Sequence, residues 1–336
     1  MARWAFAAVC ACAALAACQG SVSGGAGDGN DGVSGGNEPT TDGATTETPG
    51  EKAAALCAES QGTLLIGRTR LRRLTRIEFN NTVRDLLDIA GEPASVISPD
   101  ERIGPFYSNG IAPITDLIVQ QQHEVAADLA EQATERMSEI AGCDLTAATS
   151  ACSAQFIADF GLRAYRRPLE AEEASAYQDL FDLGNDLDGP QNGFRLVVQA
   201  MLESPFFLYH VDVGSVGVPS LEPVLLTSYE LASRLSYFLW NSMPDEELFQ
   251  LAASDGLQSE DIVAQQALRM LDDPRAKEAI ASFHLQWLDI NGMEDVQKDA
   301  SQFPLYDDAL RDAMISETRD FSDYVIRKGD GLLGTL

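Results

Sequence analysis

The 336-residue sequence predicts an all-α fold, with serial helical-bundle domains behind a disordered N-terminal tether. Three observations carry that prediction. From residue 51 onward, apolar residues recur at helical spacing and almost never alternate as strand residues do. Two capping boxes, Thr75-Arg76-Ile77-Glu78 and Thr227-Ser228-Tyr229-Glu230, each open an apolar-periodic run. Residues 19–50 hold ten glycines, no Lys or Arg, and only Val22, Ala26, Val33 and Ala44 as apolar side chains. Such a segment buries too little surface to offset its ordering entropy.

Residues 1–18 read as a secretory signal: Arg3, an apolar run from Trp4 to Ala17, then small residues leading to Cys18. The run is short of the ~20 residues of a transmembrane helix. Leu15-Ala16-Ala17-Cys18 is similar to the lipobox of bacterial lipoproteins, in which the Cys becomes the first mature residue and carries lipid. Gln19, rather than Asp, follows it, as in lipoproteins sent on to the outer membrane. Residues 19–50 are then the tether. Its Gly27-Asp28-Gly29-Asn30-Asp31-Gly32 matches a dinucleotide-binding string by letter, but no strand precedes it and no helix follows.

Beyond the tether, three helical domains are expected at 51–142, 143–211 and 225–336, the last incomplete at its C-terminal end. In the first, Ile77, Val83, Leu86 and Leu87 supply the apolar face behind the Thr75 cap. The Gly- and Pro-rich stretch 91–114 reads as loop. A long helix over about 115–140 carries Ile118, Val125, Leu129, Met137 and Ile140, and Gly142 stops it. In the second, Cys152, Phe156 and Phe160 begin a helix ending before Pro168, with two more at roughly 170–183 and 191–203. In the third, Leu231, Leu235, Phe238 and Leu239 are expected inward. Ser259 caps a helix to about 271. Asp273 caps one to about 290 carrying Ile280, Phe283, Trp287 and Leu288. The last helix spans roughly 307–328, and its stripe of Leu310, Met314, Phe321 and Val325 reads, with Leu332 and Leu333, as a face awaiting a further element.

Charge excludes some functions. With 23 basic against 52 acidic residues the net charge is −29, which makes nucleic acid an unsuitable partner. The arginines cluster at Arg68, Arg70, Arg72, Arg73, Arg76 and Arg84 and again at Arg163, Arg166 and Arg167. Residues 51–336 carry 47 acids against 22 bases, so internal arginine–carboxylate pairing is the expected use, with Glu78, Asp85 and Asp88 close at hand.

Catalytic signals are absent from the sequence. None of His123, His210 and His284 stands at a zincin spacing, and no C-x-x-C-H haem site or G-x-S-x-G elbow occurs. His284, one turn from Trp287, reads as a satisfied core histidine. The acidic pairs Asp245/Glu246, Asp272/Asp273 and Asp307/Asp308 fall at helix starts, where they complement the dipole. No cofactor or metal site is expected. In an exported chain, Cys143 and Cys152 flank a short turn between helices and are expected to form a disulfide, leaving Cys57 over.

Several strings together resemble one family. Leu71-Arg72-Arg73-Leu74-Thr75-Arg76-Ile77-Glu78-Phe79-Asn80-Asn81 and the residues after it are similar to the opening domain of the planctomycete-specific-domain lipoproteins. These are long exported proteins built from serial domains of unknown function. Phe160-Gly161-Leu162-Arg163-Ala164-Tyr165-Arg166-Arg167-Pro168-Leu169 and Ser204-Pro205-Phe206-Phe207-Leu208-Tyr209 resemble the start and end of a second. Tyr229 to Trp240 and Phe283-His284-Leu285-Gln286-Trp287-Leu288 resemble a third. Glu170 stands where the family more often has Thr or Ser. The resemblance implies continuation beyond residue 336, into segments that in the family end with a haem-type C-x-x-C-H motif. It brings no established reaction.

The sequence therefore points to a lipid-anchored outer-membrane protein, a non-catalytic binding or accessory module. Its expected partners are the membrane, through Cys18, and an envelope protein or extracellular polymer. The rival reading is part of a c-type haem redox enzyme, or of a polysaccharide-acting enzyme, whose catalytic segment lies beyond residue 336.

Overall fold

The computed structural model describes residues 71–111, 113–147, 150–214, 224–299 and 301–328. The leader, Cys18, the tether, Cys57 and the terminal leucines lie outside the described residues. The described chain is mostly α, and its elements run in sequence order. These are β1 (Arg72–Arg73), α1 (Arg76–Leu87), β2 (Arg102–Ile103), β3 (Phe106–Tyr107), α2 (Asp116–Ala133), α3 (Met137–Ala141), α4 (Ser150–Tyr165) and α5 (Ala171–Asp188). Then come α6 (Pro190–Glu203), α7 (Pro205–Leu208), β4 (Tyr209–His210), α8 (Ser228–Trp240), α9 (Glu246–Ala253), α10 (Glu260–Asp272), α11 (Pro274–Trp287) and α12 (Asp308–Asp323).

Local chemistry explains most boundaries. Thr75 caps α1 and Thr227 caps α8, each with the Glu three residues on reaching back to the cap. Asp245, Asp273 and Asp307 accept from the first turns of α9, α11 and α12, the helix-start role their sequence positions predict. Glu170 stands at the start of α5, where its backbone N–H donates to Glu173 at 2.8 Å, so the helix start survives the loss of a hydroxyl cap. Gly142 ends α3 in the left-handed region. The predicted helix over 115–140 is interrupted: a 3-10 turn at Thr134–Arg136 separates α2 from α3. The expected loop 91–114 contains the β2–β3 hairpin, which pairs Arg102 with Tyr107 and Ile103 with Phe106. Cys143 and Cys152 are bridged, their Cα atoms 6.0 Å apart.

Residues from α1, α2, α4, α6 and α7 share one core, in which Phe79, Leu87, Leu129, Phe156, Phe160, Phe194, Met201 and Phe207 are fully or nearly buried. Phe156 and Phe194 rings lie 4.9 Å apart, and Phe79 meets Phe207 edge-on at 5.7 Å. Helices α5 and α6 approach closely because Gly184 faces Gly193. A Cβ on Gly184 would come within 2.7 Å of the Gly193 Cα. Cys152, Phe156 and Phe160 point inward as their spacing requires.

A second core gathers Ala232, Trp240, Leu248, Ala252, Leu257, Met270 and Ala276 from α8 to α11. Trp240 donates its indole N–H to the Met270 carbonyl at 2.9 Å, and the Arg275 guanidinium lies 3.5 Å from its ring centroid. Helix α8 serves both cores, since Tyr237 and Met243 of this region belong to the first. Polar ties also join α1 and the β2–β3 hairpin to the segments from α8 onward. Ser242 donates to Asp85 at 2.6 Å, Asn81 donates to the Asn241 carbonyl at 3.3 Å, and the Tyr107 N–H donates to Gln286 at 2.8 Å. Arg102 pairs with Asp289 at 2.8 Å.

Five inward placements fail. Phe238 is 80% exposed, Ile77 is exposed, and Phe283, Trp287 and Leu288 are exposed too, while Leu231, Leu235 and Leu239 are only half-buried. The buried residues of α8 are instead Ser228, Ala232, Ser236, Tyr237 and Trp240, and those of α11 are Ala276, Ala279, Ala281 and His284. Small side chains let these helices sit close to their neighbours, which turns the bulky stripe sideways. On α12, Val325 just beyond the helix end is buried, whereas Leu310, Met314 and Phe321 are exposed.

Candidate functional site

Of the turned-out residues, Ile77, Phe238 and Phe283 line a cleft of about 760 Å³, within the ~300–1,000 Å³ range of small-ligand sites. Its walls come from β1 and α1, the β2–β3 hairpin, β4 and the residue or two after it, and the helices α8, α10 and α11. Segments far apart in sequence therefore meet there. Strand β1 reaches the site because it pairs antiparallel with β4, Arg72 opposite His210 and Arg73 opposite Tyr209. Helix α7 feeds β4 into place, and the buried Arg166 guanidinium holds that junction. It donates to the carbonyls of Phe206 at 2.6 Å, Phe207 at 3.2 Å and Tyr209 at 2.8 Å. Arg166 itself sits at φ 59°, a left-handed geometry that these bonds stabilise.

The floor is a charged cluster. Glu78 accepts both terminal nitrogens of Arg72 at 2.8 Å each, forming a forked pair. It also accepts the backbone N–H and hydroxyl of Thr75 at 2.8 and 3.0 Å, so one carboxylate serves the helix cap and the cleft at once. His210 Nε2 lies 3.5 Å from Glu78 Oε1 and makes no closer hydrogen bond. Its ring meets Tyr237 edge-on at 4.6 Å. Thr82 donates its hydroxyl to the Glu78 carbonyl at 2.6 Å, which leaves Tyr237 as the donor in their 2.8 Å contact.

Burial opposes a charge on Glu78, but His210 and the Arg72 guanidinium outweigh it and hold the carboxyl far below the usual carboxylate range. Burial pushes the His210 ring the other way, lowering its pKa against the pull of Glu78. Asp212 forms the next link: Arg234 donates to it at 2.9–3.0 Å, and its charge also acts on Arg72. The rim is apolar. Phe106 stacks on Phe283 at 5.2 Å, Trp287 lies 6.2 Å beyond Phe283, and Phe238 and Ile77 stand at the opening.

The sequence-predicted pairing of the first arginine cluster holds in several places. Arg72 takes Glu78 and Arg84 takes Asp85 at 2.9 Å; Arg163, of the second cluster, donates instead to the Asp85 backbone carbonyl at 2.6 Å. Asp88 is taken instead by Arg136, from outside the cluster. His284 is buried, with Nδ1 2.7 Å from the Ile280 carbonyl, and His123 pairs with Glu203 on the surface. The disulfide Cys143–Cys152 lies in the first core, apart from the cleft-lining residues. Sequence reasoning missed the convergence of Asp212, Arg234, Phe238 and Phe283. One signal was present: Leu231, Arg234, Leu235 and Phe238 share a face of α8 by their spacing, and an arginine within that stripe is out of place in a core.

Among the described residues, no cluster of three or more His, Cys, Asp or Glu is grouped to hold a metal ion, and no helix is long and apolar enough to cross a membrane. What the fold and site define is a mostly α protein with a ligand-sized cleft built from serially arranged segments. Three family descriptions match those segments in order. PSD3, protein of unknown function (DUF1587), matches residues 72–135. PSD5, protein of unknown function (DUF1595), matches 152–212, and PSD4, protein of unknown function (DUF1592), matches 226–336. The chain thus belongs to the proteins built from the planctomycete-specific serial domains of unknown function. No curated protein and no solved structure matches it. All three matched segments contribute to the cleft: Arg72, Glu78 and Phe106 from the first, His210 and Asp212 from the second, Arg234, Phe238 and Phe283 from the third.

Proposed function

We propose that this chain is a lipid-anchored protein of the bacterial outer membrane that works as a binding module, taking an envelope protein or extracellular polymer in the cleft. The observation that carries the reading is that all three matched segments converge on one ligand-sized cleft with an aromatic rim. The floor favours binding over proton transfer. Glu78 is saturated with donors and strongly acidic, so it is a weak general base, and the His210 nitrogen is sealed from solvent. Anchoring rests on Leu15-Ala16-Ala17-Cys18 and the acidic, glycine-rich tether that follows.

Fractionation and envelope binding test both parts. Wild type is expected in the membrane fraction and Cys18→Ala in the soluble fraction. The soluble Cys18→Ala chain should bind isolated cell envelopes saturably, and adding Phe238→Ala with Phe283→Ala should abolish that binding. Solubility of both forms defeats the anchor. Envelope binding that survives the double change defeats the cleft.

A further inference from the structure

The guanidinium and carboxylate charges that line the cleft cancel. Arg72 pairs with Glu78 and Arg234 with Asp212, two cations against two anions. What the lining leaves open is neutral. The Asn241 side-chain amide and the Ser108 hydroxyl are half-buried cleft groups, and neither makes a hydrogen bond to another described residue. Ser282 Oγ, also in the lining, accepts from Gln286 at 2.9 Å and keeps its own proton to donate. These three groups come from the β2–β3 hairpin side, the end of α8 and the middle of α11. Beside them the apolar surface is made of exposed rings. Phe238 is 80% exposed and Phe283 50%, and Trp287, 45% exposed and 6.2 Å from Phe283, carries the aromatic row beyond the cleft lining.

We propose that the cleft binds a neutral polysaccharide, its ring C–H faces on Phe238 and Phe283 and its hydroxyls on Asn241, Ser108 and Ser282. This rests on the binding reading above and names the chemistry of the polymer. A pyranose has an apolar C–H face and a rim of hydroxyls, each both donor and acceptor. Exposed rings beside an amide and two hydroxyls match both features. An anionic polymer would find each guanidinium already held by a carboxylate and would face a chain of net charge −29. A purely apolar segment would cover Asn241 and Ser108 and leave both without a partner. The row running on to Trp287 suits an extended chain of sugars rather than a single one.

Envelopes stripped of one component at a time test the ligand class. The soluble Cys18→Ala chain would be titrated with isolated envelopes after protease digestion, and separately after periodate oxidation, which cleaves the vicinal diols of sugars. Protease-treated envelopes should bind as untreated ones do, and periodate should abolish binding. Affinity should change less than about twofold between roughly 50 and 500 mM salt, because the ligand makes no ion pair. Uncharged oligosaccharides released from the envelopes by mild hydrolysis, which pass an anion-exchange column, should compete; the retained charged fraction should not. Ser108→Ala should weaken binding about threefold or more, the scale of one neutral hydrogen bond, with an unchanged unfolding midpoint. Asn241→Gly should do the same, since glycine keeps the left-handed backbone there. Binding lost to protease, binding that survives periodate, competition by the charged fraction alone, or wild-type affinity in both variants overturns the proposal. Where such binding still depends on Phe238 and Phe283, the ligand class is wrong and the binding module stands. If untreated envelopes do not bind at all, both fall.

Discussion

Glu78→Gln tests whether the cleft floor is a structural keystone. The carboxylate accepts four contacts within hydrogen-bond range: two from Arg72, one from the Thr75 N–H and one from its hydroxyl. The amide can keep its oxygen on Thr75, but its NH2 then faces an Arg72 nitrogen, donor against donor. One or two charge-assisted bonds are lost, at ~1.5–3 kcal/mol each. Arg72 is one-third exposed and can turn toward water, which places the expected loss near 2–4 kcal/mol at pH 7 rather than at the upper end for a broken buried pair. For a chain of this size that corresponds to a fall in Tm of roughly 4–8 °C.

The pH dependence has a definite sign. The folded-state pKa of Glu78 lies below its ordinary value of 4.5. Its contribution is therefore full above that value and declines as pH falls through it toward the folded pKa. Urea unfolding followed by circular dichroism at pH 7 and pH 3.5 measures both effects. The gap between wild type and Glu78→Gln should be large at pH 7 and smaller at pH 3.5. A gap under about 1 kcal/mol at neutral pH, the scale of an exposed pair, refutes the buried-pair account. A gap that does not narrow in acid refutes the depressed pKa.

Further expectations concern other parts of the molecule. Cys143→Ala with Cys152→Ala should cost about 2.5 kcal/mol in denaturant unfolding, from the entropy of the small loop released; no difference between the variant and oxidised wild type would contradict this. Gly184→Ala should cost roughly 1–3 kcal/mol, because the new methyl meets the Gly193 backbone and forces α5 and α6 apart. An unchanged unfolding midpoint would show that the approach is looser. Phe238→Ala should change stability by less than about 0.5 kcal/mol, since the ring is exposed. A larger loss would mean that the ring packs in the folded protein rather than waiting at the cleft.

Much of the local architecture was legible because its causes lie within a few residues. A Thr with a Glu three positions on satisfies two orphan N–H groups wherever the chain goes next, and both Thr75 and Thr227 start helices. Asp245, Asp273 and Asp307 are caps for the same reason. Core-facing Phe156 and Phe160 and the Cys143–Cys152 bridge followed from short-range spacing. Of the cleft, one contact was within reach: Arg72 and Glu78 stand six residues apart, and their pairing was expected from the excess of acid over base.

The rest needed the tertiary structure. Periodicity identifies the stripe of Leu231, Arg234, Leu235 and Phe238 but carries no label for what the stripe faces. Tight seating of α8 on Ala232, Ser236 and Trp240 rotated that stripe into the cleft. The same ambiguity misplaced Ile77, Phe283 and Trp287. The pairing of β1 with β4 joins Arg72 to His210 through two-residue strands that have no alternation to read. Helix starts, the disulfide and the mostly α class were determined by sequence alone, because each is decided by neighbours along the chain. The cleft was decided only by packing, because its charge and its aromatics come from segments whose meeting depends on how two cores share one helix.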